Sequence, residues 1–546
     1  MQASSRLRLR IISILIICLG SLFIARLYNL QVIHGKDFLA EAEDQYVTTV
    51  PNLFDRGTIY FKQKDDKLVT GATINGGYVV SITPKLLIDK EAAYKDISSI
   101  IDVPHDEFIA QAEKNDDPYE EIAKRVSKED ADLLMTKKIP GLKIFRETWR
   151  YYPGDQLAAQ VLGFVGYQST GGSEPSGRYG LESYYDDILT RRDDNLYVNF
   201  FAELFTNISD TIFDSSKEQE ANIVLTIEPT VQAELEKELT SIMTEWDSDL
   251  SGGIIMDPKT GAIYAMAVNP SFNLNEYNKV KDGTVYANPS IQNVYEMGSI
   301  VKPLTMAAGL DAGVVTAATT YNDSGRVGNE RFADYMIKQF HLGEETGIDL
   351  PGERQGLMTN LSSPRDIEYA TASFGQGFNV TPINVTSALA VLGNGGVTVT
   401  PHVVEEIQYK NGKIKKFAPN PPEQVIKPET SEEITRMLVT VVDKALLGGT
   451  VKIPEYSIAA KTGTAQISRP KELGGGYYDD RFMHTFFGYF PAYDPKFIVF
   501  LYTYYPKNNA TYASHTLTLP FIRLTKFLLH YYSVTPDRLN GAFKTP

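Results

Sequence analysis

The chain has 546 residues, 43% hydrophobic and 22% charged, the proportions of a globular protein too long for one ordinary core, so two or three domains are expected. Lys and Arg total 53 against 68 Asp and Glu, a net charge of −15, which argues against nucleic acid as the main partner. One cysteine and seven histidines cannot build a disulfide framework or a Cys/His zinc site, so no metal and no other cofactor is expected.

At the N-terminus, Ile11 to Ala25 (IISILIICLGSLFIA) is uncharged and almost wholly apolar, and Leu9 and Leu27 extend it to about the length that spans a bilayer. Arg6, Arg8 and Arg10 precede it, so the positive-inside rule leaves residues 1–10 in the cytoplasm and sends the rest outward. No small-x-small cleavage site follows, and Arg26-Leu-Tyr-Asn-Leu-Gln-Val continues the helical pattern. The expectation is an uncleaved single-pass anchor over 11–28 in a cell membrane. Cys18 reads as a packing or lipid-facing residue.

Residues 29–220 are polar and rich in tyrosine and charge. Asp55-Arg-Gly-Thr-Ile-Tyr60 followed by Lys64-Asp-Asp-Lys67 predicts a strand entering a hairpin. Glu91 to Lys138 carries helical patterning. Arg150 to Gly154, Val161 to Gly166 and Gly177 to Glu182 read as short strand and turn pieces. None of these has the make-up of a catalytic centre, and the region reads as a spacer or interaction module that holds something away from the membrane.

The composition shifts near Ala221, which opens a second domain over 221–546. Asn222 to Glu228 predicts a strand and Pro229 to Met243 a helix with proline in its first turn. Gly252 to Asp257 and Ala262 to Val268, joined by Pro258-Lys-Thr-Gly261, predict a β-hairpin. Val301 to Leu310 predicts a helix, and Asn329 to Lys338 another. Tyr456 to Ala465, Phe486 to Phe490 and Phe497 to Thr503 predict strands, and Leu517 to Tyr532 a closing amphipathic helix. Strands and helices partly segregated point to an α+β architecture, an antiparallel sheet flanked by helices.

Two short motifs carry chemistry. In Tyr295-Glu-Met-Gly-Ser-Ile-Val-Lys-Pro303, Ser299 and Lys302 stand three apart and share one helix face. A serine hydroxyl needs a neighbouring base, and a lysine amine serves when it is neutral. Met297-Gly298 can make the sharp entry that aims Ser299 outward, with backbone N–H groups placed to hold an oxyanion. In Lys461-Thr462-Gly463-Thr464, the Lys461 ammonium can fix a substrate carboxylate and raise the positive field beside Lys302. Thr462 and Thr464 can hydrogen-bond the same carboxylate, and Gly463 leaves room for substrate backbone along the strand. His484 and His515 read as packing or surface residues, Glu296 as structural, and the abundant tyrosines as strand packing.

S-x-x-K on a helix followed by K-T-G on a late strand is the signature of serine β-lactamases and penicillin-binding proteins. The chain resembles a class B penicillin-binding protein, a monofunctional, membrane-anchored D,D-transpeptidase. The resemblance extends through Arg56-Gly-Thr-Ile59 of an elongated, mixed N-terminal pedestal, Tyr152-Pro153, Gly163-Phe-Val-Gly166, Gly180-Leu-Glu182, Leu225-Thr-Ile-Glu228 and Asp257 to Met266. Thr346 to Glu353, Gly375-Gln-Gly377, Thr381-Pro382 and Phe486 to Lys496 complete it.

The resemblance implies that Ser299 attacks a D-Ala-D-Ala stem peptide derived from lipid II, with Lys302 as base, releases the terminal D-Ala and passes the acyl group to a neighbouring stem's amine. Lys461, Thr462 and Thr464 would hold the carboxylate, backbone N–H groups of Ser299 and Thr464 would form the oxyanion hole, and β-lactams would acylate Ser299. Partners implied are a separate membrane-embedded glycosyltransferase and other cell-wall assembly proteins. One departure stands out. No serine after Ser299 is followed two positions on by asparagine, so the family's middle motif, S-x-N, is missing. Ser324 is the nearest candidate, 25 residues on (324 − 299), about half the family's separation. A deletion between Arg326 and Asn329 accounts for this. The competing reading is a catalytically impaired scaffold of the same machinery; a secreted β-lactamase fits poorly with the anchor and the pedestal.

Overall fold

In the computed structural model the described residues are 54–167, 175–191, 220–319, 328–508 and 510–539, with Ala542, Phe543, Gly20 and Arg26 besides. Apart from Gly20, the apolar segment 11–25 lies outside them, as do Cys18 and Ser324. Among the described residues no helix is long and apolar enough to cross a membrane. The chain divides into two compact units, the smaller built from 75–149 and the larger from 56–74, 150–191 and 220–539 among described residues. The division does not follow the chain boundary near 221, because segments 56–74 and 150–191 pack with the C-terminal residues.

In the smaller unit, the second half of the strand Leu68–Ile82 pairs with Glu120–Val126 and with Leu142–Tyr151. Helices Lys90–Ser98, His105–Ala112 and Lys128–Thr136 bury Ile97, Phe108 and Leu134 against Val80 and Ile82. Asp89 and Ser127 cap two of these helices by accepting the N–H groups of Ala92 and Asp130. Glu120–Val126 interrupts the stretch expected to be helical. Its pairing with the long strand outweighs the helical preference of its Glu, Ala, Lys and Arg residues.

In the larger unit, Ile59–Lys62 and Leu68–Ile82 form the expected hairpin, and Ile59–Lys62 pairs in parallel with Ala221–Leu225. Val404–Tyr409 and Ile414–Lys416 extend that sheet. Arg56 and Arg150 both donate to the fully buried carboxylate of Glu182, at 2.6 and 2.5 Å. The expected strand and turn pieces here are the short strand Ser176–Gly177 and the helical turn Gly180–Tyr184, which delivers Glu182 to this network.

The central feature is a five-stranded antiparallel sheet in the order Ala459–Ser468, Tyr477–Phe490, Phe497–Tyr504, Leu250–Met256, Ile263–Asn269. Its strands are apolar on both faces because both are covered. Ile255, Phe486, Val499 and Leu501 meet the helices Pro229–Trp246 and Thr518–Tyr531 on one face. Ile254, Phe487 and Phe500 belong to the other face's core with Ile300, Val301 and Leu304. The strand Ala459–Ser468, which carries Lys461, is an edge strand of this sheet.

Candidate active site

The segment before Ser299 is fixed at three points. Gly298 takes φ +64°, a left-handed turn in which a side chain is strained, and its N–H donates to Gly375 O at 3.0 Å. Met297 O accepts from the hydroxyl of Thr485 at 2.9 Å. Glu296 Oε1 accepts from Gly377 N at 3.0 Å and from the Tyr477 hydroxyl at 2.9 Å, and burial raises its pKa. The chain then makes a tight turn over Gly298–Val301 and enters the helix Lys302–Asp311. Pro303 fits the first turn, where its missing N–H costs nothing. Ile300, Val301 and Leu304 are buried beneath this entry, so Ser299 is held half-buried at its head.

The edge strand approaches this turn through two glycines. A Cβ added at Gly463 would lie 2.7 Å from Met297 O, and one at Gly298 would lie 2.8 Å from Thr464 O. Backbone therefore packs on backbone, and the residue after Gly298 is Ser299. The serine turn and the strand segment around Thr464 are in direct contact. Strand alternation puts Lys461 and Gly463 on one face and Thr462 and Thr464 on the other. Lys461 Nζ donates to Thr462 O at 2.8 Å. Burial, and then the nearby charge of Lys302, lower the Lys461 pKa to about 8.

Lys302 differs from the expectation. It is exposed, and among the described residues neither it nor Ser299 makes a side-chain hydrogen bond. The burial falls on Lys461, whose charge lies near that of Lys302. Thr464 Oγ1 accepts the N–H of Ala513 at 3.2 Å. A hydroxyl has one proton and two lone pairs, so this bond leaves the Thr464 O–H available to a carboxylate.

Around the site, Glu296 is structural and His484 a packed core residue, as read from the sequence, while the role of Thr485 was not foreseen. Glu296 ties the nucleophile segment to Gly377 and Tyr477. Thr485, the cross-strand neighbour of Gly463, was visible only as a polar residue between two apolar runs. His484, opposite Thr464, is fully buried with Nδ1 2.9 Å from Thr516 Oγ1. It thus steadies the short helix Ala513–Thr516 that reaches Thr464. Burial, and then His515, lower the His484 pKa to about 4. Among the described residues no three His, Cys, Asp or Glu side chains are grouped to hold a metal ion.

The family model of the penicillin binding protein transpeptidase domain matches residues 252–335 and 324–518, and that of the penicillin-binding protein dimerisation domain matches 54–225. Stage V sporulation protein D of Bacillus subtilis is 27% identical over 544 residues, covering 91% of this chain and 81% of its own. The peptidoglycan D,D-transpeptidase FtsI of Escherichia coli K12 is 26% identical over 491 residues, 83% of this chain and 79% of its own. Among solved structures, penicillin binding protein 2X from Streptococcus thermophilus aligns with a TM-score of 0.67 at 18% identity, over 89% of this chain and 81% of its own. Penicillin binding protein 3 from Mycobacterium tuberculosis, solved with aztreonam, aligns with a TM-score of 0.59 at 22% identity, over 73% and 94%.

Proposed function

The chain belongs to the class B penicillin-binding proteins, the peptidoglycan D,D-transpeptidases, and from that premise we propose that it cross-links stem peptides through an acyl ester on Ser299. Ser299 Oγ attacks the carbonyl carbon of the penultimate D-Ala while its proton passes to the amine of Lys302. Collapse of the tetrahedral intermediate breaks the C–N bond, and the terminal D-Ala leaves with that proton. The amine of a second stem peptide then attacks the ester, a new amide forms, and Ser299 regains its proton. The N–H groups of Ser299 and Thr464 hold the oxyanion. Lys461 and the hydroxyls of Thr462 and Thr464 hold the terminal carboxylate. β-Lactams acylate the same serine.

The observation that carries this reading is the seating of Gly298 against Thr464 and of Gly463 against Met297. It sets the serine turn directly on the edge strand where a peptide can lie. The S-x-N segment is absent from the sequence, and the transpeptidase match comes in two pieces sharing residues 324–335, as for a chain short of residues there. Lys302, exposed to solvent, then exchanges its proton with water in place of a second serine, and acylation is slower than it would be with the segment restored. The arginines at 6, 8 and 10 before the apolar run support a single membrane anchor with the catalytic unit outside the cell membrane. Glycan polymerisation falls to a separate membrane glycosyltransferase.

Labelling with a fluorescent penicillin tests the assignment. The unmutated chain takes the label and gains the mass of one penicillin, and Ser299→Ala takes none. An unmutated chain that stays unlabelled would sink the proposal.

A further inference from the structure

Among the described residues Arg481 is a cation without a hydrogen-bond or ion-pair partner. Its guanidinium stacks over Tyr478 at 4.1 Å and over Tyr505 at 4.9 Å from the ring centroids. Its Nε is buried with no hydrogen-bond partner, and among the described residues its nitrogens form no hydrogen bond or ion pair. The acidic groups around it do not fill the gap. Asp249 pairs with Lys507 at 2.8 Å, and Asp479 and Asp480 are exposed without an ion pair to Arg481. A guanidinium taken partly out of water is costly unless something accepts its hydrogen bonds. Contact with two rings, which Arg469 and Lys507 also approach, leaves the edge of its fork without an acceptor.

Two chains of contact lead from Arg481 to the nucleophile segment. Tyr478 follows Tyr477, whose hydroxyl bonds Glu296. Tyr505 follows Tyr504, whose ring lies 5.7 Å from that of Tyr295. Tyr295 and Glu296 stand four and three residues before Ser299. Along its own strand, Arg481 lies four residues from Thr485, the residue that holds Met297. That separation is about 14 Å of strand, the reach of about four residues of extended peptide.

We propose that Arg481, clamped between Tyr478 and Tyr505, is a carboxylate subsite of the substrate groove, taking a free carboxylate that the stem peptide carries a few residues from the scissile bond. The subsite rests on the transpeptidase reading. The chemistry suits it: a glutamyl residue linked through its γ-carboxyl keeps a free α-carboxylate, and a stacked, planar guanidinium meets a carboxylate with two parallel hydrogen bonds and little ordering cost. The clamp makes Arg481 a reader of whether that carboxylate is free or amidated.

The test uses the full chain in detergent and two soluble pentapeptides ending in D-Ala-D-Ala. One has the glutamyl α-carboxylate free and the other carries it as the carboxamide. Binding to the unmutated chain, Arg481→Gln and Arg481→Lys is measured by fluorescence polarisation, with thermal melting to establish that each variant is folded. Amidation costs the unmutated chain about tenfold in affinity, the scale of a charge-assisted pair. Arg481→Gln costs about the same on the free carboxylate, both changes together cost no more than either alone, and Arg481→Lys falls between. Equal binding of the two peptides by the unmutated chain, or an equal loss on both peptides in Arg481→Gln, overturns the subsite. Penicillin labelling keeps the two proposals apart. A chain that labels but does not discriminate loses the subsite alone, and one that discriminates but does not label loses the transpeptidase reading alone.

Discussion

Gly298 packs its Cα against the carbonyl of Thr464, with room for hydrogen and for nothing larger: a Cβ there would stand 2.8 Å from the Thr464 oxygen and 2.9 Å from its carbon. The same residue has φ +64°. Gly298→Ala therefore meets two obstacles, a left-handed backbone that costs about 1–2 kcal/mol for an L-residue and a collision with the edge strand. The relief available is a shift of the serine turn away from Thr464. A displacement of about 1 Å in a reacting group can cost about 100-fold in rate. Penicillin acylation of Gly298→Ala is expected to fall by about that factor while far-UV circular dichroism stays unchanged. Acylation at the unmutated rate would show that the close approach does not position the serine.

Lys461 sets a pH dependence whose sign follows from its lowered pKa of about 8. Below that pH the ammonium is charged and attracts a carboxylate; above it the charge is lost. The second-order rate of acylation by a carboxylate-bearing penicillin should fall as pH rises through about 8, approaching about tenfold per unit beyond it. Lys461→Arg keeps its charge over this range, so the break near 8 should vanish from its profile. Stopped-flow or gel-based acylation between pH 6.5 and 9.5 reads both. An unchanged break in Lys461→Arg would assign it to another group.

Glu182 holds two cations at once. Its carboxylate accepts from Arg56 at 2.6 Å and from Arg150 at 2.5 Å, with the Tyr152 hydroxyl at 3.3 Å, and its side chain is fully buried. Removing one side of a buried charge network leaves uncompensated charge, at a cost of about 3–5 kcal/mol. Glu182→Gln should lower the unfolding free energy by about that amount in urea titrations. A loss below about 1 kcal/mol, the scale of an exposed pair, would mean that water already reaches the guanidiniums.

The helix that starts at Lys302, the strand that carries Lys461 and the sheet were legible because each rests on a local signal: an apolar run from Val301, K-T-G in an apolar strand, and runs such as Phe497 to Thr503 that are apolar on both faces. What was not legible depends on approach between distant segments. Nothing near Glu296 shows that Tyr477, 181 residues on, donates to it, or that Thr464 is steadied by Ala513. The exposure of Lys302 and the burial of Lys461 likewise depend on what packs around each. Glu120–Val126 was hidden for the opposite reason, since its composition favours helix and only its partner strand makes it a strand.

Two buried groups in the larger unit pull its acid stability in opposite directions. The carboxylate of Asp349 accepts Val403 N at 2.7 Å and Val404 N at 2.8 Å, yet burial dominates and pushes its pKa up to about 6. Its folded value lies above the unfolded value of about 3.9, so the folded state binds more protons between about pH 4 and 6, and this contribution declines as pH rises through that window. His484 has the reverse sign. Its folded pKa of about 4 lies below the unfolded value of about 6.5, so its contribution declines as pH falls from about 6.5 to 4. The two slopes oppose each other across pH 4–6. Asp349→Asn removes the first and leaves the second, so relative to the unmutated chain its stability should rise more steeply from pH 4 to 6, by up to about 1.4 kcal/mol per unit. His484→Gln should shift the slope the other way. Urea unfolding at pH 4.5, 5.5 and 6.5 measures each difference. Equal slopes in the Asp349→Asn variant and its parent would show that Asp349 is ionised in the folded protein throughout this range.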